Sequence, residues 1–585
     1  MAIVRFFVRL FALIGLLLVG GAVTVVVLAV RHEPALPDAV VLELDLTGPL
    51  AESDGGRIDS LFEQRTTLRQ VLDALDAGRR DPRVKGVLAR FGDDAVGFAQ
   101  TQELRGAIER FRSSGRFAVA FAEEYGGAGP GNRAYLLASA FDEVWLQPMG
   151  TLGITGLSME LPFAREALDR LGVQPSFAQR EEYKSFAETF TTAGMTPANR
   201  EMMEGLVADL SNQLVDGIAK SRRLAPATVR AAMDKAPLLS REALDQKFVD
   251  KLGYADEARD EALKRAGDGA ETVAPGDYLA VAGNPNGNGP TIALINAVGT
   301  ITGGESGKPA TGGLSAGSDT IVQAIEEAAD DPDVRAILFR IDSGGGAVSA
   351  SEAIRRALVR ARQSGKPVIA SMGDAAASGG YWIALAADRI VASPATLTGS
   401  IGVVAGKFAI GGLSDKLGVH WDGVRSARNA GMWSPLRPFG DSESERLTAI
   451  IDDTYANFLQ RVAEARRMTP DQARGIAKGR VWTGAQARDL GLIDDLGGQE
   501  QALILARTAA GLAPDAPVTL APYPPPKSVT DELLDLLAGK GNLVGALATA
   551  AELRPLLAEL RPLLAATQGA GEGVQARMPA MTLDR

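Results

Sequence analysis

The sequence predicts an α/β fold built twice in tandem and preceded by one N-terminal transmembrane helix. Three observations carry that prediction. An uncharged apolar run lies near the N-terminus, a long-range internal repeat follows it, and within each repeat short β-rich runs alternate with helical patterns.

The apolar run spans Leu10 to Val30, LFALIGLLLVGGAVTVVVLAV. Its 21 residues match the roughly 20 that a helix needs to cross a bilayer. A cleaved signal peptide has a shorter apolar core, about 7–15 residues, and a small-residue cleavage site. No convincing site of that kind precedes Arg31, so an uncleaved anchor is expected over residues 1–31. Arg5 and Arg9 come before the run. By the positive-inside tendency they put the N-terminus in the cytoplasm and the rest of the chain outside, in the periplasm of a bacterium whose inner membrane it crosses once.

The repeat follows. DPRVKGVLARF begins at Asp81, and DPDVRAILFRI begins 250 residues later at Asp331. SSGRFAVAF from Ser113 matches QSGKPVIAS from Gln363 at the same spacing. VLELDLTGPL from Val41 resembles IALINAVGTI from Ile292, and FVDKLG from Phe248 resembles LIDDLG from Leu492. A repeat this long is a duplicated domain rather than a solenoid unit. The halves are expected at 38–280 and 288–520, joined through the Gly/Pro/Asn stretch AGNPNGNGP. Within each half a run such as VRAILFRI is followed by a helical pattern such as SASEAIRRALVRARQSG, then by another run, KPVIASM. That order implies βαβ units and a parallel sheet covered by helices. The segment 521–585 opens with PYPPPK and carries amphipathic patches broken by prolines. The prolines argue against a long straight helix there, and a partner-contacting or loosely ordered tail is expected.

Composition narrows the chemistry. The 585 residues exceed what one core usually holds. Net charge is −11, with no basic block beyond the extreme N-terminus, which argues against nucleic acid as a partner. With no cysteine, disulfides, thiolate metal sites and cysteine nucleophiles are excluded. The two histidines, His32 and His420, stand in ordinary surroundings. A histidine-based triad or a multi-histidine metal site has little to draw on, and no cofactor or metal is expected.

Two motifs remain in the C-terminal half. RIDSGGGAVSASEAI, 340–354, reads as a strand, a cluster Gly344-Gly345-Gly346 and a helix. Its backbone N–H groups suit an oxyanion, though such a turn also suits phosphate. It lacks the lysine of a phosphate-binding P-loop. GDAAASGGYWIALAADRIVASPATLTGSIGVV, 373–404, places Ser378 between Ala377 and Gly379. A serine there is either an exposed nucleophile or a helix N-cap, and the residues alone weigh these evenly.

GGGxV, ASGGYWIALAADRIVASP and TGSIGVV together resemble the signal peptide peptidase SppA (protease IV) family, within the ClpP/crotonase-like superfamily. The resemblance covers nearly the whole chain after the apolar run. It implies tandem ClpP/crotonase-like domains, a serine endopeptidase with a Ser-Lys dyad, signal peptides as substrates and a homotetramer at the membrane. It maps the nucleophile onto Ser378. The general base maps onto Lys184, in REEYKSFAETFT of the N-terminal half, and the serine that orients it onto Ser400, whose bland alternative is a turn hydroxyl. The family's turn usually carries a proline where this chain has Gly344, which leaves Gly345 or Gly346, with Gly379, as oxyanion donors. The repeat supports a divided site. Asn132 falls where Ser378 does and Ile154 where Ser400 does, while the C-terminal counterpart of the Lys184 segment, RSARNAGMWSPLRPF, has no lysine. Two other readings use the same fold: a crotonase-like acyl-CoA enzyme, which needs neither Ser378 nor an anchor, and a non-catalytic scaffold, which would have been free to lose either member of the dyad.

Overall fold

The computed structural model describes residues 35–52, 66–127, 129–307, 313–525 and 575–577. The expected membrane segment lies outside them. Among the described residues no helix is long and apolar enough to cross a membrane.

Each half builds a parallel sheet. In the first, β1 (Ala39–Leu46), β2 (Val84–Phe91), β3 (Phe117–Ala122) and β4 (Glu143–Leu146) run side by side, flanked by short strands at Lys251–Leu252 and Ala270–Val273. In the second, β6 (Thr291–Val298), β7 (Val334–Ser343) and β9 (Val368–Ala377) repeat that order. Strands at Arg389–Ala392, Asp495–Leu496 and Thr519–Tyr523 complete it. Their apolar composition is what two covered faces require: all six residues of β3, for example, are buried. The duplication legible in the sequence is thus a duplication of strand order.

In the C-terminal half β10 (Leu397–Gly399) pairs parallel with the far end of β9, as Leu152 bridges Tyr125 in the first half, and β8 (Gly345–Ala347) lies just beyond β7. That half adds β11 (Val403–Ala409). A third sheet stitches the halves together. Strand β5 (Gln174–Arg180) leaves the N-terminal half and pairs antiparallel with β11 along its whole length, from Arg180 opposite Val403 to Gln174 opposite Ala409. One segment of the expected loose tail also belongs to this sheet: β12 (Gln575–Arg577) lies between β8 and β11.

Polar contacts fix the seam. Helix α1 (Phe98–Ser113) has no side-chain cap of its own. Asp374, on β9 of the other half, accepts from the N–H of Ala99 at 2.7 Å. An anion at a helix N-terminus is stabilised by the unpaired N–H groups and the dipole. Gly97 makes room for it, since a Cβ there would stand 1.7 Å from the carboxylate. Beside it Arg340, on β7, is fully buried. Its guanidinium makes two bonds of 2.9 Å to Glu52 and pairs with Glu103 at 2.8 Å, both from the N-terminal half. It also donates to Oγ of Ser371 and the carbonyl of Met372, each at 3.0 Å.

Candidate active site

The site forms at the carboxyl ends of β7 and β9, where open α/β sheets bind ligands. Strand β9 runs directly into Ser378, which precedes helix α3 (Gly379–Ala384). Ser378 has φ 55° and ψ −111°, a sharp turn that an L-residue rarely adopts. Such a conformation costs on the order of 1–3 kcal/mol and persists only where the surroundings enforce it. The enforcement is visible: Ser378 donates its N–H to Gly399 at 2.8 Å, and its carbonyl accepts from Trp382 at 2.8 Å. The side chain makes no capping bond to the helix, so the N-cap alternative fails.

The hydroxyl instead meets the lysine from the other half. Nζ of Lys184 lies 2.7 Å from Oγ of Ser378. It donates to the carbonyl of Ser400 at 2.9 Å and to Oγ of Ser400 at 3.0 Å. Lys184, Ser378 and Ser400 are all fully buried. Lys184 has no carboxylate partner among the described residues, and burial alone pushes its ammonium well below the ordinary lysine range. Ser400, like Ser378, has a positive φ, 52°, and its N–H donates to Arg480 at 2.7 Å.

Glycines that the sequence reading did not single out hold the lysine in place. Gly479 has φ 80°, and a Cβ there would stand 2.5 Å from the backbone nitrogen of Lys184. A Cβ on Gly402 would meet Cδ of Lys184 at 3.1 Å and the carbonyl of Arg180 at 2.5 Å. The signal available was weak, since both look like ordinary turn glycines.

The glycine turn packs against the same spot. Gly380 approaches the carbonyl of Ser343 so closely that a Cβ would stand 2.6 Å from it. Among the turn residues, the N–H of Gly345 donates to Oγ of Ser343 at 3.1 Å and is already engaged. Gly346 lies in β8 with its backbone against Ile301. Gly379 opens α3, where an N–H has no partner within its own helix.

Behind the turn four carboxylates surround one guanidinium. Burial, then the neighbouring Asp374, pushes Asp342 up to about 7. Asp374 and Glu103 are also raised, chiefly by burial. Burial would raise Glu52 too, but the charge and hydrogen bonds of Arg340 prevail and hold it below the usual carboxylate range.

In the N-terminal half the corresponding place is closed. Tyr135 donates to the carbonyl of Phe248 at 2.6 Å, as Tyr381 does to that of Leu492 at 2.7 Å, which fixes the register between the halves. In that register Asn132 stands for Ser378. It lies inside its helix, α2 (Asn132–Ala138), and Gly131 is the cap. Its amide donates to Gly156 at 2.9 Å and accepts from it at 3.0 Å. Ile154, opposite Ser400 in the repeat, is buried.

The sequence model of peptidase family S49 matches residues 110–267 and 360–513, once in each half. Protease 4 of Salmonella typhi is 33% identical over 503 residues, covering 84% of this chain and 78% of that protein. Protease 4 of Haemophilus influenzae is 30% identical, covering 81% and 79%. The chloroplastic serine protease SPPA of Arabidopsis thaliana is 29% identical, covering 86% and 74%. With both copies of the domain matched and relatives aligned across most of their length, this chain belongs to peptidase family S49 and is a serine protease.

Proposed function

We propose that Ser378 is the nucleophile and Lys184 the general base of an endopeptidase that degrades cleaved signal peptides at the outer face of a bacterial inner membrane. One observation carries the reading: a buried amine with no carboxylate partner among the described residues lies 2.7 Å from a buried serine hydroxyl. A neutral lysine has two N–H groups and one lone pair. The two acceptors on Ser400 take the N–H groups, which leaves the lone pair for the hydroxyl proton of Ser378. Ser400 is thereby a positioning residue.

Attack by Oγ on a peptide carbonyl transfers that proton to Lys184 and forms a tetrahedral oxyanion. The N–H groups of Gly346 and Gly379 stabilise it. The lysine ammonium then protonates the leaving amine, and an acyl-enzyme ester remains on Ser378. Water, deprotonated by the same lysine, hydrolyses the ester and regenerates the site.

Anchoring rests on the 21-residue apolar run and the arginines before it. An anchored protease meets apolar peptides left in the same bilayer, which suits signal peptides as substrates. Self-association into a tetramer is supported by the unmatched partner of β5. Residues 420–426 stand 246 positions after β5 in the repeat, yet they form no strand, and Leu417, Val419, Trp421 and Val424 around them are exposed. A second copy would give that segment the edge that β11 gives β5.

The decisive experiment is active-site acylation by a serine-directed fluorophosphonate, mapped by mass spectrometry. Label on Ser378 in the native chain and none in Lys184→Ala supports the dyad. Label on another serine, or undiminished labelling without Lys184, refutes it.

A further inference from the structure

Lys184 reaches Ser378 across the seam between the halves, so its position depends on what joins the two there. Segment 478–480 joins them. On one side the carbonyl of Lys478 accepts from the N–H of Tyr183 at 3.1 Å, one residue before the lysine. On the other side the N–H of Gly479 donates to the carbonyl of Ile401 at 2.8 Å, and the carbonyl of Arg480 accepts from the N–H of Ser400 at 2.7 Å. The same short segment therefore holds both the lysine and the serine that contacts its amine. Val481 continues it into a strand, Val481–Thr483, that pairs antiparallel with β10, Val481 opposite Gly399. The carbonyl of Gly399 in turn accepts from the N–H of Ser378.

The side chain of Arg480 spans the same seam. Its guanidinium lies over two rings, 4.9 Å from the centre of Tyr183 and 4.5 Å from that of Trp482. It also donates at 2.8 Å to Glu201, on the helix Pro197–Arg222 of the N-terminal half. The other oxygen of Glu201 accepts from the hydroxyl of Tyr183 at 3.1 Å. Arg480, Tyr183 and Glu201 thus close a triangle with two corners in the N-terminal half and one in the C-terminal half. A planar guanidinium stacks on aromatic faces while its N–H groups bind a carboxylate, which a compact ammonium does less well. Two more ion pairs cross the seam beside it, Glu181 with Arg474 at 3.3 Å and Glu182 with Lys478 at 3.0 Å. Glu201 is 61% exposed, so its pair with Arg480 adds little to folding. What the triangle controls is where the backbone of Tyr183 stands, and with it Lys184.

We propose that Arg480 is a positioning residue for proteolysis: by holding Tyr183 and Glu201 of one half against Ser400 of the other, it sets the placement of Lys184 on Ser378. The proposal rests on the dyad reading.

The test compares the native chain with Arg480→Met, Arg480→Lys, Tyr183→Leu and the double variant Arg480→Met/Tyr183→Leu. Hydrolysis of an apolar peptide is followed across pH, and fluorophosphonate labelling of Ser378 is timed, with Lys184→Ala labelled in parallel. Arg480→Met lowers kcat by roughly 10²-fold, the cost of about 1 Å of misplacement, with KM within about twofold. A loosened turn admits water to the amine, so the midpoint of kcat/KM against pH moves up by about one unit or more. Arg480→Lys restores the charge without the stacking and recovers kcat only in part. Tyr183→Leu lowers kcat as well, and the double variant loses no more than about threefold beyond the worse single change, because both act through one contact. An arginine that serves folding alone would lower the urea midpoint and leave kcat of the folded chain and the pH midpoint as they were. That result overturns the proposal, and so do losses that multiply in the double variant. If Arg480→Met does not fold, Glu201→Gln at its exposed position decides: a pH midpoint shifted upward supports the proposal, and native kcat with a native midpoint overturns it. Full labelling of Lys184→Ala sinks the dyad reading and this proposal with it. Labelling that needs Lys184 but is indifferent to Arg480 sinks the positioning role alone.

Discussion

Arg90 and Arg340 occupy the same place in the two halves, 250 residues apart, each on the strand third from the corresponding edge of its own sheet. Arg90 is 45% exposed and reaches Glu123 only at 3.7 Å. Arg340 is 0% exposed and binds two glutamates of the opposite half. The dyad positions have diverged in the same manner. Asn132 locks a loop shut where Ser378 faces a lysine. Ala430 stands 246 positions after Lys184, where that lysine's counterpart would be. The two copies keep one sheet and differ where they touch. The candidate active site is a product of the seam rather than of either domain.

The strongest test of that contrast is removal of the dyad. Ser378→Ala or Lys184→Ala is expected to lower kcat/KM by about 10⁴-fold or more, the scale seen when a nucleophile or base is lost. Asn132→Ala should cost about 1–3 kcal/mol of stability, from unsatisfied groups at Gly156, and leave kcat of the folded enzyme unchanged. Steady-state kinetics with urea unfolding separates the two. Equal losses of activity in both halves would break the comparison.

Next comes the arginine pair. Arg340→Met leaves Glu52 and Glu103 buried without a counter-charge and is expected to destabilise by about 3–5 kcal/mol. Arg90→Met should stay within about 0.5 kcal/mol of the native chain. Denaturant midpoints decide, and a small effect at Arg340 would mean that the seam does not depend on it.

Gly479→Ala pushes a Cβ into the backbone of Lys184 from a position with φ 80°. A displacement of about 1 Å at the base should cost roughly 10²-fold in kcat, with KM little changed. A variant as active as the native chain would show that the lysine tolerates more freedom than its cradle suggests.

The subtlest effect is on pH. With Lys184 as the proposed base, activity needs its neutral form, so kcat/KM should rise with pH and level off well below the ordinary lysine range. The stability sign follows from the same depression. Between the folded pKa and the unfolded one, the unfolded chain binds more protons, so this lysine's contribution to stability improves as pH rises. Lys184→Met should therefore raise Tm at neutral pH, with a gain that shrinks toward alkaline pH. A Tm unchanged between Lys184→Met and the native chain at every pH would mean that the amine is not desolvated.

Much of this was legible in the residues. The duplication followed from matched runs, and it became strand order because parallel strands buried on both faces leave an unbroken apolar signature. Ser378 and Lys184 were implied by the family resemblance, and the repeat agreed, since each half lacks what the other keeps. The rest depended on distances between segments far apart in the chain. RVKGVLARF and DVRAILFRI give the same pattern around Arg90 and Arg340, so no periodicity could tell which arginine is buried. Gly402 and Gly479 looked like turn glycines until the lysine arrived between them. Gly345 and Gly346 were equivalent in the sequence, and only the hydroxyl of Ser343 tells them apart. Segment 575–577 carries no strand signature, because its pairing comes from β8 and β11 and not from its own three residues.

The cradle around Lys184 also sets a timetable. A ribosome releases Lys184 long before Gly479, which stands 295 residues further along. At about 5–20 residues per second that gap lasts roughly 15–60 s. During it the last strands of the first sheet and most of the later half are still being made, and the lysine's cradle is incomplete. With Lys184 as the proposed base, a nascent chain of this protein has no fully cradled dyad until Gly479 has emerged.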